Sequence, residues 1–281
     1  MNNHISPFEF QKRRNLSELF SDSLAYFRLH SKSFLLGFSV FILPIILIDS
    51  TITAVYEINN PNAEVTFLDI IRPSTPLGFI SNILGLISSV FSIIIVTGQV
   101  KQIRDGADSV PLSYYFDVIH EYFWRIIGIS ILVNIATTVS VIAFVVGALF
   151  VGVKLSLSSI SGILEDNRST QALEWSWNIT KDQWWNTCAV LIIFGTVMFL
   201  SSFLILVPLY IVLEIGSALG IITGFAYVVV ETIILQFPFL MISFLQMFYM
   251  LGLTFYYFNL KELKEGTGMI SKIDELSARD E

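Results

Sequence analysis

Apolar residues along this chain gather into long, nearly uninterrupted blocks: Phe34 to Val55, Leu77 to Val96, Ile126 to Ile163, Thr187 to Val212 and Ile221 to Phe258. A helix crossing a hydrocarbon core of about 30 Å needs about 20 such residues. The pattern therefore predicts an all-α integral membrane protein. Strands of outer-membrane barrels would alternate apolar and polar residues over about ten positions, and the blocks show no such alternation.

Two blocks need dividing before the spans can be counted. Ile126 to Ile163 is 38 residues long, about twice one crossing at 1.5 Å rise per residue. It splits near Phe144 to Ala148, where Gly147 is the local breaker. Ile221 to Phe258 is also 38 residues long and is interrupted by Pro238, which removes a helical hydrogen bond. Residues 221–237 are read as a half-helix that is re-entrant, interfacial or part of one long kinked helix. Six spans result, at about 34–55, 77–98, 124–144, 146–165, 186–212 and 238–259. They occupy a membrane domain over 16–266, flanked by tails at 1–15 and 267–281.

An aromatic pair with seven intervening residues recurs ahead of three spans: Tyr26 and Phe34, Phe116 and Trp124, Trp177 and Trp185. Aromatic rings favour the headgroup level, and an amphipathic helix lying in that plane would feed the span behind it. Leu173, Trp177 and Trp184 share one helical face, opposite Glu174, Asn178, Lys181 and Asp182. Leu19, Phe20 and Phe27 stand against Glu18, Asp22 and Arg28, while Tyr115, Val118, Ile119 and Tyr122 form the second copy's apolar face. The expected architecture is three elbow-plus-hairpin units, with cytoplasmic amphipathic interfacial helices before spans 1, 3 and 5.

Composition agrees: 54% of residues are hydrophobic and 14% charged, and the mean hydropathy is +0.72. Six spans with both termini cytoplasmic put fourteen of the sixteen Lys and Arg residues on the inner side, leaving Arg72 outside and Lys154 within a span. A seventh crossing at 221–237 would move Lys261, Lys264, Lys272 and Arg279 outside. The first apolar run is of spanning length behind a polar N-terminal stretch, so no cleaved signal peptide is expected. A bacterial cytoplasmic (inner) membrane is the expected location. The formal charge of −7 leaves no basic patch for nucleic acid.

Candidate chemistry is sparse. The three histidines, His4, His30 and His120, form no metal-spaced pair, and Cys188 is the only cysteine. No phosphate-binding loop, nucleophile elbow or dinucleotide fingerprint occurs. No catalytic, metal or cofactor-binding residue is assigned and no cofactor is expected. The sharper candidate is an intramembrane polar cluster of Lys154 with Glu214, Glu231 and Asp49, because ionisable groups in hydrocarbon face a partner or a wet cavity. That cluster is either a structural ion pair or a lipid contact. Gly152, Ser156 and Ser159, with Ser158 and Gly162 as a second small pair, would allow close helix approach.

Two stretches carry a resemblance. Gly152-Val-Lys-Leu-Ser-Leu, the acidic Glu165-Asp166 and Ala172 through Ser176-Trp177 to Trp185 form one, and Phe255-Tyr-Tyr-Phe-Asn-Leu-Lys-Glu-Leu-Lys-Glu-Gly266 the other. Together they are similar to the bacterial glycerophosphoryl diester phosphodiesterase membrane-domain superfamily, from about Leu16 to Gly266. A Pro-Gly pair before the fourth span is absent, and Lys154 stands where Arg is more usual. The resemblance implies a six-helix membrane architecture without hydrolysis, since the phosphodiesterase chemistry of two-domain members resides in a separate soluble domain. The expected function is a non-enzymatic scaffold or subunit of a membrane assembly, with membrane lipids and other membrane proteins as partners. The alternative is lipid handling or transport through outer-side charges around Lys154, and the third reading is a membrane-embedded enzyme.

Overall fold

The computed structural model describes residues 8–59, 76–143, 145–221 and 224–266. Its secondary structure is helical, with no strand among the described residues. Six helices are long and apolar enough to cross a membrane: Ser31–Thr53, Pro76–Arg104, Leu112–Val141, Val146–Leu164, Trp184–Ala218 and Leu240–Glu265. This is a multi-pass membrane protein.

Local chemistry explains where the helices begin, bend and stop. α1 (Leu16–Leu29) opens with a reciprocal cap. Asn15 Oδ1 accepts the Glu18 N–H at 2.8 Å, and Glu18 Oε2 accepts the Asn15 N–H at 3.0 Å. α2 (Ser31–Gly37) continues through one π turn, Phe38–Ile42, into α3 (Leu43–Asn59). Pro44 has no N–H for the carbonyl four residues back, and the wider turn sits where that bond would be missing. α4 (Pro76–Arg104) starts on a proline, whose absent N–H costs nothing in a first turn. α9 (Trp184–Ala218) ends with Gly220 at φ 68°. There the Gly220 and Ile221 N–H groups donate to the carbonyls of Ser217 and Gly216, both at 2.9 Å, a closure that favours glycine.

Between these lie α5 (Leu112–Ala143), α6 (Val145–Leu155), α7 (Ser158–Leu164) and α8 (Ser169–Ile179), and α10 (Gly224–Glu265) ends the helical chain. The division expected near Phe144 separates α5 from α6, with residue 144 itself outside the described residues. Of the arrangements left open for 221–237, the helix is continuous: α10 runs for 42 residues through position 238. The second aromatic pair has no short helix of its own, because Phe116 and Trp124 lie within unbroken α5. Most of the loop around Asn60 and Arg72, and both terminal tails before Phe8 and after Gly266, lie outside the described residues.

The chain divides into two compact units. Unit 2 holds Leu35–Ser92 and Gly195–Met247. Inside it Phe38 meets Phe244 edge-on at 5.2 Å, Phe41 meets Phe91 at 6.1 Å, and Gln246 donates to Ser89 at 2.9 Å. Unit 1 holds Met1–Phe34, Ile93–Phe194 and Phe248–Glu281. Its core is strongly aromatic: Tyr26, Phe34, Tyr115, Phe255, Tyr257 and Phe258 are all buried. Phe20 and Phe27 add a second cluster against Phe34, Phe194 and Phe248, with ring centroids 5.1–6.0 Å apart. After its first turns, which expose Asp117, His120 and Glu121, α5 is largely apolar on both sides. It buries Tyr115, Val118, Tyr122, Ile126 and Ile129, and exposes Trp124, Ile131, Ile135 and Val139 at spacings of seven, four and four. An all-round apolar helix is what a lipid solvent requires.

Candidate functional site

The break between α6 and α7 is where unit 1 concentrates its polar chemistry. Two residues, Ser156 and Leu157, interrupt the helical ladder, and four hydroxyl-mediated bonds repair it. Ser156 Oγ donates to the Val153 carbonyl at 2.9 Å and Ser158 Oγ to that of Leu155 at 2.8 Å. From α8, Ser176 Oγ donates to the Lys154 carbonyl at 2.8 Å and accepts the Leu157 N–H at 3.3 Å. A buried backbone needs such partners, and a serine on a neighbouring helix supplies two at once. Sequence pattern placed Leu173 and Trp177 on the apolar, membrane-facing side of an interfacial helix, and it did not address which side packs inside the protein. Ala172, Ser176 and Ile179 form the buried side, and Trp177 is 41% exposed. Gly162 of α7 packs hardest against α5, where an added Cβ would lie 2.6 Å from Ile129 Cδ1, and Ala172 of α8 sits at ordinary contact distance, 3.9 Å.

Lys154 is buried beside this break. Its Nζ lies 3.5 Å from the Trp177 carbonyl and 5.6 and 5.9 Å from the ring centroids of Trp177 and Phe150. The ammonium thus meets the negative end of α8 and two aromatic faces, both favourable to a cation. Lys264, from α10, donates to the next carbonyl, that of Asn178. The proposed companions of Lys154 have surroundings of their own. Asp49 Oδ1 accepts the Ser81 hydroxyl at 2.6 Å, Glu214 is exposed, and the Glu231 side chain lies outside the described residues.

Beyond α7 the acidic pair Glu165-Asp166 draws three helices together. Glu165 Oε1 accepts Lys261 at 2.7 Å and the Tyr257 hydroxyl at 3.1 Å, both from α10. Asp166 accepts Lys101 of α4 at 2.8 Å and the Tyr122 hydroxyl of α5, with Arg125 at 3.6 Å. Lys101 Nζ also donates to the Ile163 carbonyl at 2.9 Å. Asp166 adopts φ 53°, a left-handed conformation that Asp tolerates better than most residues. Burial pushes its carboxyl pKa up, but hydrogen bonds from Lys101 and Tyr122 and the charges of Lys101 and Arg125 outweigh this and leave it below the ordinary value.

A further centre was not singled out from sequence. The Arg14 guanidinium is enclosed: Nε donates to Asp22 at 2.8 Å, one amino group to the Phe10 and Lys12 carbonyls at 2.9 and 3.2 Å, and the other to that of Glu9. It also lies 5.3 Å from the Phe255 ring centroid, while the Arg14 backbone N–H donates to Asn259 Oδ1 at 2.8 Å. In the sequence Arg14 is one of several basic residues before a span. Its neighbour Phe10 was the available signal, an aromatic residue in an otherwise polar tail.

The three aromatic pairs differ in their surroundings. Tyr26 and Phe34 are both fully buried, with ring centroids 6.2 Å apart. Phe116, Trp124, Trp177 and Trp185 are exposed. Trp184 stacks on Phe150 at 5.8 Å and meets Trp185 edge-on at 4.6 Å. Among the described residues no three His, Cys, Asp or Glu side chains converge as a metal site would require. Compared with protein families, characterised proteins and solved structures, the chain matches none.

Proposed function

We propose that this protein is a non-enzymatic, multi-pass scaffold or subunit of a membrane assembly. One observation carries the reading: the charged side chains of the site are spent on fastening helices together. Glu165 joins α10, Asp166 joins α4 and α5, and Lys154 and Lys264 hold the end of α8. Such a network fixes a shape, and the apolar stripe of Trp124, Ile131, Ile135 and Val139 on α5 offers that shape to lipid or to a membrane partner. The resemblance to the phosphodiesterase-associated membrane domains points the same way. Lipid transport through Lys154 has less support, because that ammonium already meets the α8 carbonyl and two rings.

The fitting location is a bacterial cytoplasmic membrane with both termini inside, since that orientation keeps fourteen of sixteen basic residues on the cytoplasmic side. Cysteine labelling should then reach positions near Asn60 from outside and those near Asp108, Arg168 and Lys272 from inside. An external C-terminus would refute the orientation. For the assembly itself, the test is crosslinking at native expression level followed by detergent purification. A defined complex of reproducible stoichiometry is expected, and recovery only as a lone monomer would overturn the reading.

A further inference from the structure

The first turn of α1, the start of α9 and the last turns of α10 enclose a cleft of about 600 Å³. Leu16 and Leu263 give it apolar walls, and Gln183, Asn186 and Asn259 line it with carboxamides. That volume lies within the ordinary range for small-molecule sites, about 300–1,000 Å³.

The hydrogen-bonding capacity left on those amides decides what they would recognise. Asn259 is 7% exposed, and its Oδ1 is occupied by the Arg14 N–H. Its Nδ2 has no partner among the described residues, so Asn259 brings an unused donor to the residues that line the cleft. Asn186 Nδ2 donates to Gln183 Oε1 at 2.6 Å. This leaves Asn186 Oδ1 as an acceptor and Gln183 Nε2 as a donor, again without partners among the described residues. Donors and an acceptor therefore converge without a net charge.

The one charged side chain lining the cleft is already engaged. It is that of Arg14, and four of its five guanidinium N–H groups are taken by Asp22 and the carbonyls of Glu9, Phe10 and Lys12. At the α1 end, the Glu18 carboxylate occupies the Asn15 N–H. Among the lining residues a phosphate would find no cation beyond the engaged Arg14, and it would approach that carboxylate. A hydroxyl or ester carbonyl, by contrast, matches uncharged amides. The neighbouring Trp185 is 79% exposed at the start of an apolar helix, the position of an aromatic ring at headgroup depth.

We propose that this cleft binds a neutral acylglycerol-type lipid. The glycerol hydroxyls and ester carbonyl meet Gln183, Asn186 and Asn259, and the acyl chain runs along Leu16 and Leu263. This site is separate from Lys154 and does not depend on the scaffold reading.

The test uses the full-length protein in phosphatidylcholine nanodiscs with a monoacylglycerol carrying a diazirine in its acyl chain, and adducts mapped by mass spectrometry. Adducts are expected in peptides covering 16–19, 183–190 and 256–263. Excess unlabelled monoacylglycerol should suppress them about tenfold, and lysophosphatidic acid of the same chain length should not. Ala189→Trp, which fills the cleft from a half-buried position, should lower labelling about tenfold while keeping a monodisperse elution profile. If that variant does not fold, Asn186→Leu at an exposed position provides the same comparison. Equal or better competition by the anionic lipid would overturn the proposal. So would unsaturable labelling along Trp124 and Ile131, or wild-type labelling of both folded variants.

Discussion

Lys154 and Lys264 rest on consecutive backbone carbonyls, those of Trp177 and Asn178, at the end of α8. The two lysines come from α6 and α10, so one short helix terminus is held from both sides. A helix end leaves its last carbonyls unpaired and partially negative, which is why cations settle there.

Their contributions should be unequal. Lys154 is 6% exposed and Lys264 lies at the surface. Lys264→Ala is expected to cost at most about 0.5 kcal/mol. Lys154→Ala should cost about 2 kcal/mol, chiefly from the lost packing of its buried stem. Lys154→Met should therefore remain close to wild type in detergent unfolding, with faster amide exchange at the end of α8. A methionine variant as damaged as the alanine one would show that the charge matters more than the stem.

Asp166 gives a pH prediction. Its folded pKa lies below the ordinary 3.8, so its contribution is fully present above the unfolded value and is lost as pH falls through the folded one. Thermal unfolding in micelles should show wild type losing stability below about pH 4, and Asp166→Asn should lack that portion of the loss. At neutral pH the variant should cost about 1 kcal/mol, because a carboxylate side chain 54% exposed is screened by water. Identical acid profiles for the two proteins would contradict the assignment.

Arg14→Lys should be more severe than a change of one like charge for another suggests. Lysine cannot reproduce the fork that serves Asp22 and three carbonyls, and Arg14's side chain is 1% exposed. A loss of about 2–3 kcal/mol is expected, with earlier proteolysis of the segment before α1. Stability within about 0.5 kcal/mol of wild type would show that the guanidinium contacts contribute little.

Two glycines should respond in opposite ways to alanine. A Cβ at Gly252 would lie 2.1 Å from Phe194 Cε1, whereas one at Gly152 meets nothing within 4 Å among the described residues. Gly252→Ala should destabilise by about 1–3 kcal/mol, and Phe194→Leu should rescue part of that loss in the double variant. Gly152→Ala should be neutral or stabilising by up to about 1 kcal/mol through helix propensity. Thermal melts of the four proteins would decide, and additive losses at 194 and 252 would contradict the contact.

Much of the helical content was legible because spanning a bilayer demands long apolar runs, and such runs are visible in one dimension. The count of six apolar helices and the division near Phe144 follow from length and from Gly147. Pro238 shows the limit of this reading, since proline signals a broken ladder but neighbouring structure decides whether the helix stops, and α10 continues. Gly152 shows another. Its small-residue spacing is real, but the glycine whose added Cβ would strike a ring is Gly252, and only the position of Phe194 reveals that.

Sequence alone determined the solvent this protein is built for, because hydrocarbon excludes charges and unpaired backbone groups over long contiguous stretches. It also marked Lys154, since an ammonium in an apolar run must find compensation. Tertiary structure alone decided what compensates it, the carbonyl of Trp177 with the Trp177 and Phe150 rings. It likewise distinguished the buried Tyr26–Phe34 pair from the exposed Trp124 and Trp185. The physical reason is one of range. Hydrophobicity acts residue by residue along the chain, whereas hydrogen bonds and ring contacts join positions as distant in sequence as Arg14 and Asn259, 245 residues apart.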